Sequence, residues 1–127
     1  MIPDKGNYPL DCLNKKMKIC FISGAYRNDD PIIKMGNIER AVIYMRKYLR
    51  QGFAVICPHT NTGLDCYDME KEVDFCKMYL TFIPFIDIMV MMPGWQDSEG
   101  AKREHEEAVI LWKTIIYEPY DETNPSQ

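Results

Sequence analysis

The sequence has no Cys-x-x-Cys pair, only two histidines, no surplus of positive charge and no long apolar run. Its five cysteines, Cys12, Cys20, Cys57, Cys66 and Cys76, are odd in number, which argues against a disulfide framework and a zinc knuckle. Cys20 and Cys57 fall inside apolar runs, where buried free thiols are common. The set reads as reduced, and a cytoplasmic location is expected. With two histidines and no ligand cluster around them, no metal site is expected, and no cofactor. Fifteen Lys and Arg against nineteen Asp and Glu leave a net charge of −4, which suits neither DNA nor RNA tracking. The longest apolar stretch, Phe82 to Pro93, is interrupted by Asp87 and falls well short of the ~20 residues of a membrane span. Residues Met1 to Lys18 are dotted with Asp4, Lys5, Asp11, Lys15 and Lys16 and do not read as a signal peptide. Neither a membrane nor a nucleic-acid polymer is an expected partner.

What is present is ordinary globular composition: 127 residues, 46% apolar and 27% charged. That is one domain, able to bury roughly two-thirds of its unfolded surface. Lys18–Ile22, Phe53–Cys57, Asp87–Met92 and Thr114–Tyr117 are short apolar runs that read as buried strands. Between them, Asn37–Gln51, Met69–Phe82 and Ser98–Trp112 have helical spacing. In the first helix Asn37 suits the N-cap, Gly52 suits the C-terminal glycine, and a face of Ile38, Ala41, Val42, Met45, Tyr48 and Leu49 is expected to be buried. In the second helix Val73, Cys76, Lys77 and Leu80 share a side, and in the third Ala101, Ala108, Leu111 and Trp112 can face a core. Met35, Met45, Met69 and Met78 read as gap-fillers. Unbroken apolar strands alternating with helices predict an α/β fold, a parallel sheet covered on both faces. The domain is expected over 18–117, after an N-terminal extension (1–17) and before a loose polar tail (118–127).

In such folds ligands bind beyond the carboxyl ends of the strands. Three loops are therefore candidates. Ser23-Gly24-Ala25-Tyr26-Arg27 follows the first strand; its glycine allows close backbone approach to a ligand and Arg27 suits a phosphate, though a tight strand-to-helix turn explains it equally. Pro58-His59-Thr60-Asn61 follows the second strand, and its histidine is equally a structural or solvated one. Gly94 to Glu104 follows the third. Ser98 and Gly100 would lie at a helix N-terminus, which favours anions, with Glu104 about one turn further in. A solvated acidic face of Glu99, Glu104, Glu106 and Glu107 is the plain alternative. Trp95 is placed to line a pocket.

Ser98-x-Gly100-x-x-x-Glu104-x-x-x-Ala108 after Asp87-Ile88-Met89-Val90-Met91-Met92 resembles the motif of nucleoside 2-deoxyribosyltransferases. It is equally similar to that of the related 2′-deoxynucleoside 5′-phosphate N-hydrolases. Ile22-Ser23-Gly24, Pro58-His59-Thr60-Asn61 and Pro93-Gly94-Trp95 extend the likeness to small stand-alone members, over about Lys18 to Tyr117. The resemblance implies a flavodoxin-like, Rossmann-like doubly wound parallel sheet in three layers. It implies a homo-oligomer with a small-molecule nucleoside or nucleotide as ligand. It also implies covalent catalysis: Glu104 attacks C1′ of a (deoxy)ribosyl group, expels the base, and water or a second base resolves the ester. By the same likeness Ser98, Gly100 and Arg27 would receive a 5′-phosphate. Ser23, Gly24, Tyr26, His59, Asn61, Tyr79 and Trp95 complete the expected substrate site.

Two positions depart from that pattern. The family has a tyrosine three residues before the glycine of the first loop, where this chain has Phe21. It has an aspartate eight residues before Asp87, where this chain has Tyr79; Asp74 and Asp68 are near in sequence, and Asp74 would point away on the same helix. The enzyme reading therefore stands beside that of a non-catalytic nucleotide-binding module, in which Tyr79 stacks on a base.

Overall fold

A computed structural model describes residues 16–61 and 73–120. The first strand, β1 (Ile19–Ser23), is followed by helix α1 (Pro31–Arg50), strand β2 (Ala54–Ile56), helix α2 (Phe75–Phe82), strand β3 (Ile88–Met91), helix α3 (Glu99–Ile110) and strand β4 (Thr114–Tyr117). All four strands are parallel, in the order β2-β1-β3-β4. This is the doubly wound three-layer α/β fold that the alternating pattern predicts. Cys20 pairs with Val55 on one side and Ile88 on the other, so β1 is interior and accordingly apolar on both faces.

Period-two alternation sorts the core into two layers. Cys20 and Ile22 of β1, with Val90 and Met92, pack under Ala41, Tyr44 and Tyr48 of α1. Phe21 of β1, with Met89 and Met91 of β3, packs under Tyr79 of α2 and Ala101 and Ala108 of α3. At ~25 cal/mol per Å², burying each of these large apolar side chains contributes about 1.5–3 kcal/mol. The order reverses between β1 and β3, the position in such sheets where a crevice opens.

Several expectations are corrected. α1 starts six residues before Asn37: Asp30 is the N-cap, accepting the Ile32 N–H at 2.9 Å, and Pro31 opens the first turn. Asn37 is buried inside the helix, in a stripe with Ala41, Tyr44 and Tyr48, and Leu49 is exposed. Ile32, Ile33 and Met35 are exposed and blur the apolar periodicity of the first two turns, and Met35 fills no core gap. Gly52, at φ +93°, ends α1 as expected, with Phe53 N–H bonded to the Tyr48 carbonyl. α2 begins at Phe75 behind the cap Asp74, whose carboxylate accepts the Lys77 N–H at 3.0 Å. Its buried residue is Tyr79, while Cys76 and Lys77 face solvent. The expected start at Met69, and Asp68, lie outside the described residues.

Trp112 faces water, not a core: it is 94% exposed and holds φ 57° just past α3. The start of the polar tail is fixed rather than loose. Glu118 accepts from Tyr48 Oη and from Lys47 Nζ (2.8 Å), and its N–H donates to the Met91 carbonyl at 3.0 Å. Cys20 and Cys57 are buried free thiols as expected, and burial pushes Cys20 up to about 12 and Cys57 up to about 11.

Candidate active site

β1 ends at Ser23, which has no exposed surface. Its side chain lies on the α2–α3 face, in phase with Phe21. There its hydroxyl donates to Oε1 of Glu104 at 2.7 Å. Glu104 reaches that point because α3 begins at a defined place. Ser98 caps it, accepting the Ala101 N–H at 3.2 Å, and Ala101 and Ala108 hold the helix down on the sheet. Glu104 sits between those alanines, on the buried flank. Burial pushes its carboxyl up to about 7, and the Ser23 bond opposes that rise by favouring the charged form. The motif glutamate is thus inward-facing, not part of a solvated acidic face. Glu106 and Glu99 take that role: both are exposed, and Glu99 pairs with Lys102 at 2.7 Å.

Tyr79 and Asn61 meet at the same end of the sheet. Asn61 lies past β2 and its amide donates to the Tyr79 hydroxyl. The Tyr79 ring stands edge-on to Phe21, with centroids 6.2 Å apart. Burial raises the phenol's pKa, the Asn61 bond lowers it, and the nearby Cys57 and Glu104 raise it further. Phe21 itself is fully buried, so its place on β1 offers no polar group.

His59 is a structural residue. It is 2% exposed, and its Nε2–H donates to the Ala25 carbonyl at 2.9 Å, a bond that fixes the proton on Nε2. Its Nδ1 faces the Cys57 thiol at 3.9 Å. Burial lowers its pKa, with the bonds to Ala25 and Gly24 opposing, so it remains neutral near pH 7. Tyr26 packs edge-on to His59 at 5.4 Å, and the Tyr26 carbonyl accepts from the Asn37 amide at 3.2 Å. His59 and Tyr26 together pin the β1–α1 loop to the β2 loop and to α1. Thr60 closes on the Cys57 carbonyl at 2.8 Å.

Gly24 is required for packing. A Cβ there would come within 2.7 Å of Met92 Sδ and 2.8 Å of its Cβ. Gly100 is the opposite case. Among the described residues, nothing outside its own helix lies within 4 Å of where its Cβ would stand, in the first turn of α3. Arg27 is exposed on the β1–α1 loop.

Trp95 stacks on His105 at 4.3 Å and near Tyr117 at 6.1 Å, while His105 Nε2 and Tyr117 Oη lie 2.6 Å apart. These residues form a second cluster, with Trp95 also packed on the α2–α3 core layer. His105 and Tyr117 are not among the expected site residues; the signal for them is a half-buried α3 position next to Glu104 and the last residue of β4. Among the described residues, no three His, Cys, Asp or Glu side chains gather as metal ligands would. Among them, too, no helix is long and apolar enough to cross a membrane.

The arrangement is thus a carboxylate on α3, oriented by a serine at the end of β1, with a phenol on α2 beside it. A half-ionised carboxylate near pH 7 suits either nucleophilic attack or proton transfer. No curated protein matches the chain. A family model described as a domain of unknown function, DUF4406, matches residues 35–117 and so spans Asn61, Tyr79, Ser98 and Glu104. The chain belongs to the DUF4406 family.

Proposed function

We propose that this protein cleaves or exchanges the N-glycosidic bond of a nucleoside or nucleoside 5′-monophosphate, with Glu104 as nucleophile. The observation that carries the reading is the 2.7 Å bond from Ser23 to Glu104 at the carboxyl end of β1. A carboxylate held by one hydroxyl keeps its other oxygen for C1′. Partial burial strengthens its interaction with the positive charge that develops on the sugar. The DUF4406 family is related to nucleoside 2-deoxyribosyltransferase-like proteins, which supports the same chemistry.

Gly100 supplies a second line of support. Glycine costs ~1 kcal/mol against alanine inside a helix. Neither a positive φ nor a close neighbour among the described residues explains it here. The open space at a helix N-terminus suits a 5′-phosphate, with Ser98 and Arg27 as further donors. Tyr26 and His59 would act by holding the loop, Asn61 and Tyr79 by contact. Trp95 belongs to the wall of the second cluster. A homo-oligomer is part of the proposal, and Ile32, Phe85 and Trp112 are exposed apolar residues that it would cover.

The test is incubation with ribo- and deoxynucleosides and their 5′-monophosphates, with and without an acceptor base, followed by chromatography. Release or exchange by the parent and not by Glu104→Ala establishes the chemistry, and dependence on acceptor separates transferase from hydrolase. Phe21, which brings no hydroxyl to the site, favours the alternative of a non-catalytic nucleotide-binding module. Intact ligand recovered from a tight complex would establish that alternative.

A further inference from the structure

A phenylalanine at position 79 would fill the α2–α3 core as well as the tyrosine does. The ring is packed between Phe21 and Phe82, at 6.2 Å from each, and is 7% exposed. The hydroxyl adds a desolvation cost that packing alone does not require. Its oxygen accepts from the Asn61 amide, which leaves the phenol proton to be donated elsewhere. Asn61 stands past the carboxyl end of β2, so the bond fixes the hydroxyl at the end of the sheet where Ser23 and Glu104 meet. α2 and α3 cover the same face of the sheet. A group seated between them has a carboxylate from α3 on one hand and a phenol from α2 on the other.

We propose that Tyr79, held by Asn61, donates a hydrogen bond to the heterocycle of the ligand that Glu104 attacks. The proposal rests on the glycosidic-bond reading above and names the group that receives the leaving base. A Glu104 oxygen forms a bond to C1′, the C1′–N bond breaks, and its electron pair and the negative charge pass to the heterocycle. Tyr79 stabilises that charge through its hydrogen bond and keeps its proton. When water later attacks C1′, Glu104 leaves as carboxylate and the proton of that water neutralises the base.

The test compares Tyr79→Phe with the parent on two ligand pairs. On the Glu104→Gln background, calorimetry measures binding of 2′-deoxyguanosine 5′-monophosphate and of 2-deoxyribose 5-phosphate. The loss of the hydroxyl is expected to weaken the nucleotide about tenfold and leave the sugar phosphate unchanged. In turnover with Glu104 present, release of guanine should slow by roughly 10²-fold, whereas the 7-methyl derivative, whose base leaves neutral, should slow less than about threefold. Equal weakening of both ligands, equal slowing of both substrates, or no difference between the proteins overturns the proposal. A parent that releases no base while Tyr79→Phe still selectively weakens the nucleotide overturns the catalytic reading and leaves the heterocycle contact standing. Matching melting curves show that the variant is folded.

Discussion

Ser23 and Glu104 lie 81 residues apart in sequence and are joined by a 2.7 Å hydrogen bond. The serine is the last residue of β1 and the glutamate sits midway along α3, so the bond ties the site to two rigid elements. Because the hydroxyl donates to the carboxylate, it favours the ionised form against the effect of burial.

Ser23→Ala removes that donor. The Glu104 carboxyl is then expected to titrate higher than about 7. The acid limb of the kcat/KM profile for base release should move up by about one pH unit. Stability should fall by ~1–2 kcal/mol, since a buried acceptor loses its partner. A profile that stays in place would show that the bond does not set the ionisation of Glu104.

The same carboxyl makes stability depend on pH. Its pKa rises on folding from 4.5 to about 7, so the folded protein holds the proton more tightly than the unfolded chain. That contribution is fully present below pH 4.5 and is lost as the pH rises through about 7. Glu104→Gln should therefore be more stable than the parent at pH 8, by about 1–3 kcal/mol, and gain nothing at pH 4. His59 works in the other direction: its lowered pKa gives stability that is present above 6.5 and lost toward acid pH. Urea titrations of parent and variant at the two pH values isolate the Glu104 share, because His59 is common to both.

Gly24→Ala would place a methyl group 2.8 Å from Met92 Cβ, which a rotamer change of Met92 does not relieve. β1 or the segment after β3 must shift. A loss of ~1–3 kcal/mol is expected, seen as a melting temperature lower by roughly 4–12 °C. Gly100→Ala tests the opposite environment. With no neighbour within 4 Å among the described residues, it should stabilise the protein by up to ~1 kcal/mol and weaken binding of a nucleoside 5′-monophosphate.

Trp112 occupies the left-handed position that ends α3, where its N–H bonds to the Val109 carbonyl and that of Lys113 bonds to the Ala108 carbonyl. Glycine is the residue that adopts this conformation without strain. At 94% exposure the indole loses little packing on removal. Trp112→Gly is expected to raise the stability of the isolated protomer by ~0.5–1 kcal/mol. Sedimentation of the same variant checks whether the indole belongs to a subunit interface: an assembly that dissociates shows that it does.

Much of the fold was legible in the residues. Four apolar runs became four strands, within a residue or two at each end; the interior strands β1 and β3 are apolar throughout because both their faces are buried. The helix ends were less legible. The periodicity places the start of α1 at Asn37, not at the cap Asp30 and first-turn Pro31, because exposed Ile32, Ile33 and Met35 do not follow the buried stripe. For α2, the buried Tyr79 lies off the side that Val73, Cys76 and Leu80 suggested, since the contact that decides it is with Phe21 on β1.

The candidate site divides in the same way. Local spacing placed Ser98 at the head of α3 and Glu104 one turn further in, and helix geometry alone requires that relation. Whether Glu104 faced water or protein was not local, because it depends on where β1 ends relative to α3. The roles of His59 and Gly24 were likewise decided by neighbours distant in sequence, Ala25 for the one and Met92 for the other. The sequence by itself determined the alternating apolar pattern, and with it the parallel sheet and the end at which its loops converge. Only the tertiary structure decided which side chains meet there, because hydrogen bonds and burial depend on pairs of residues that the sheet brings together across the whole chain.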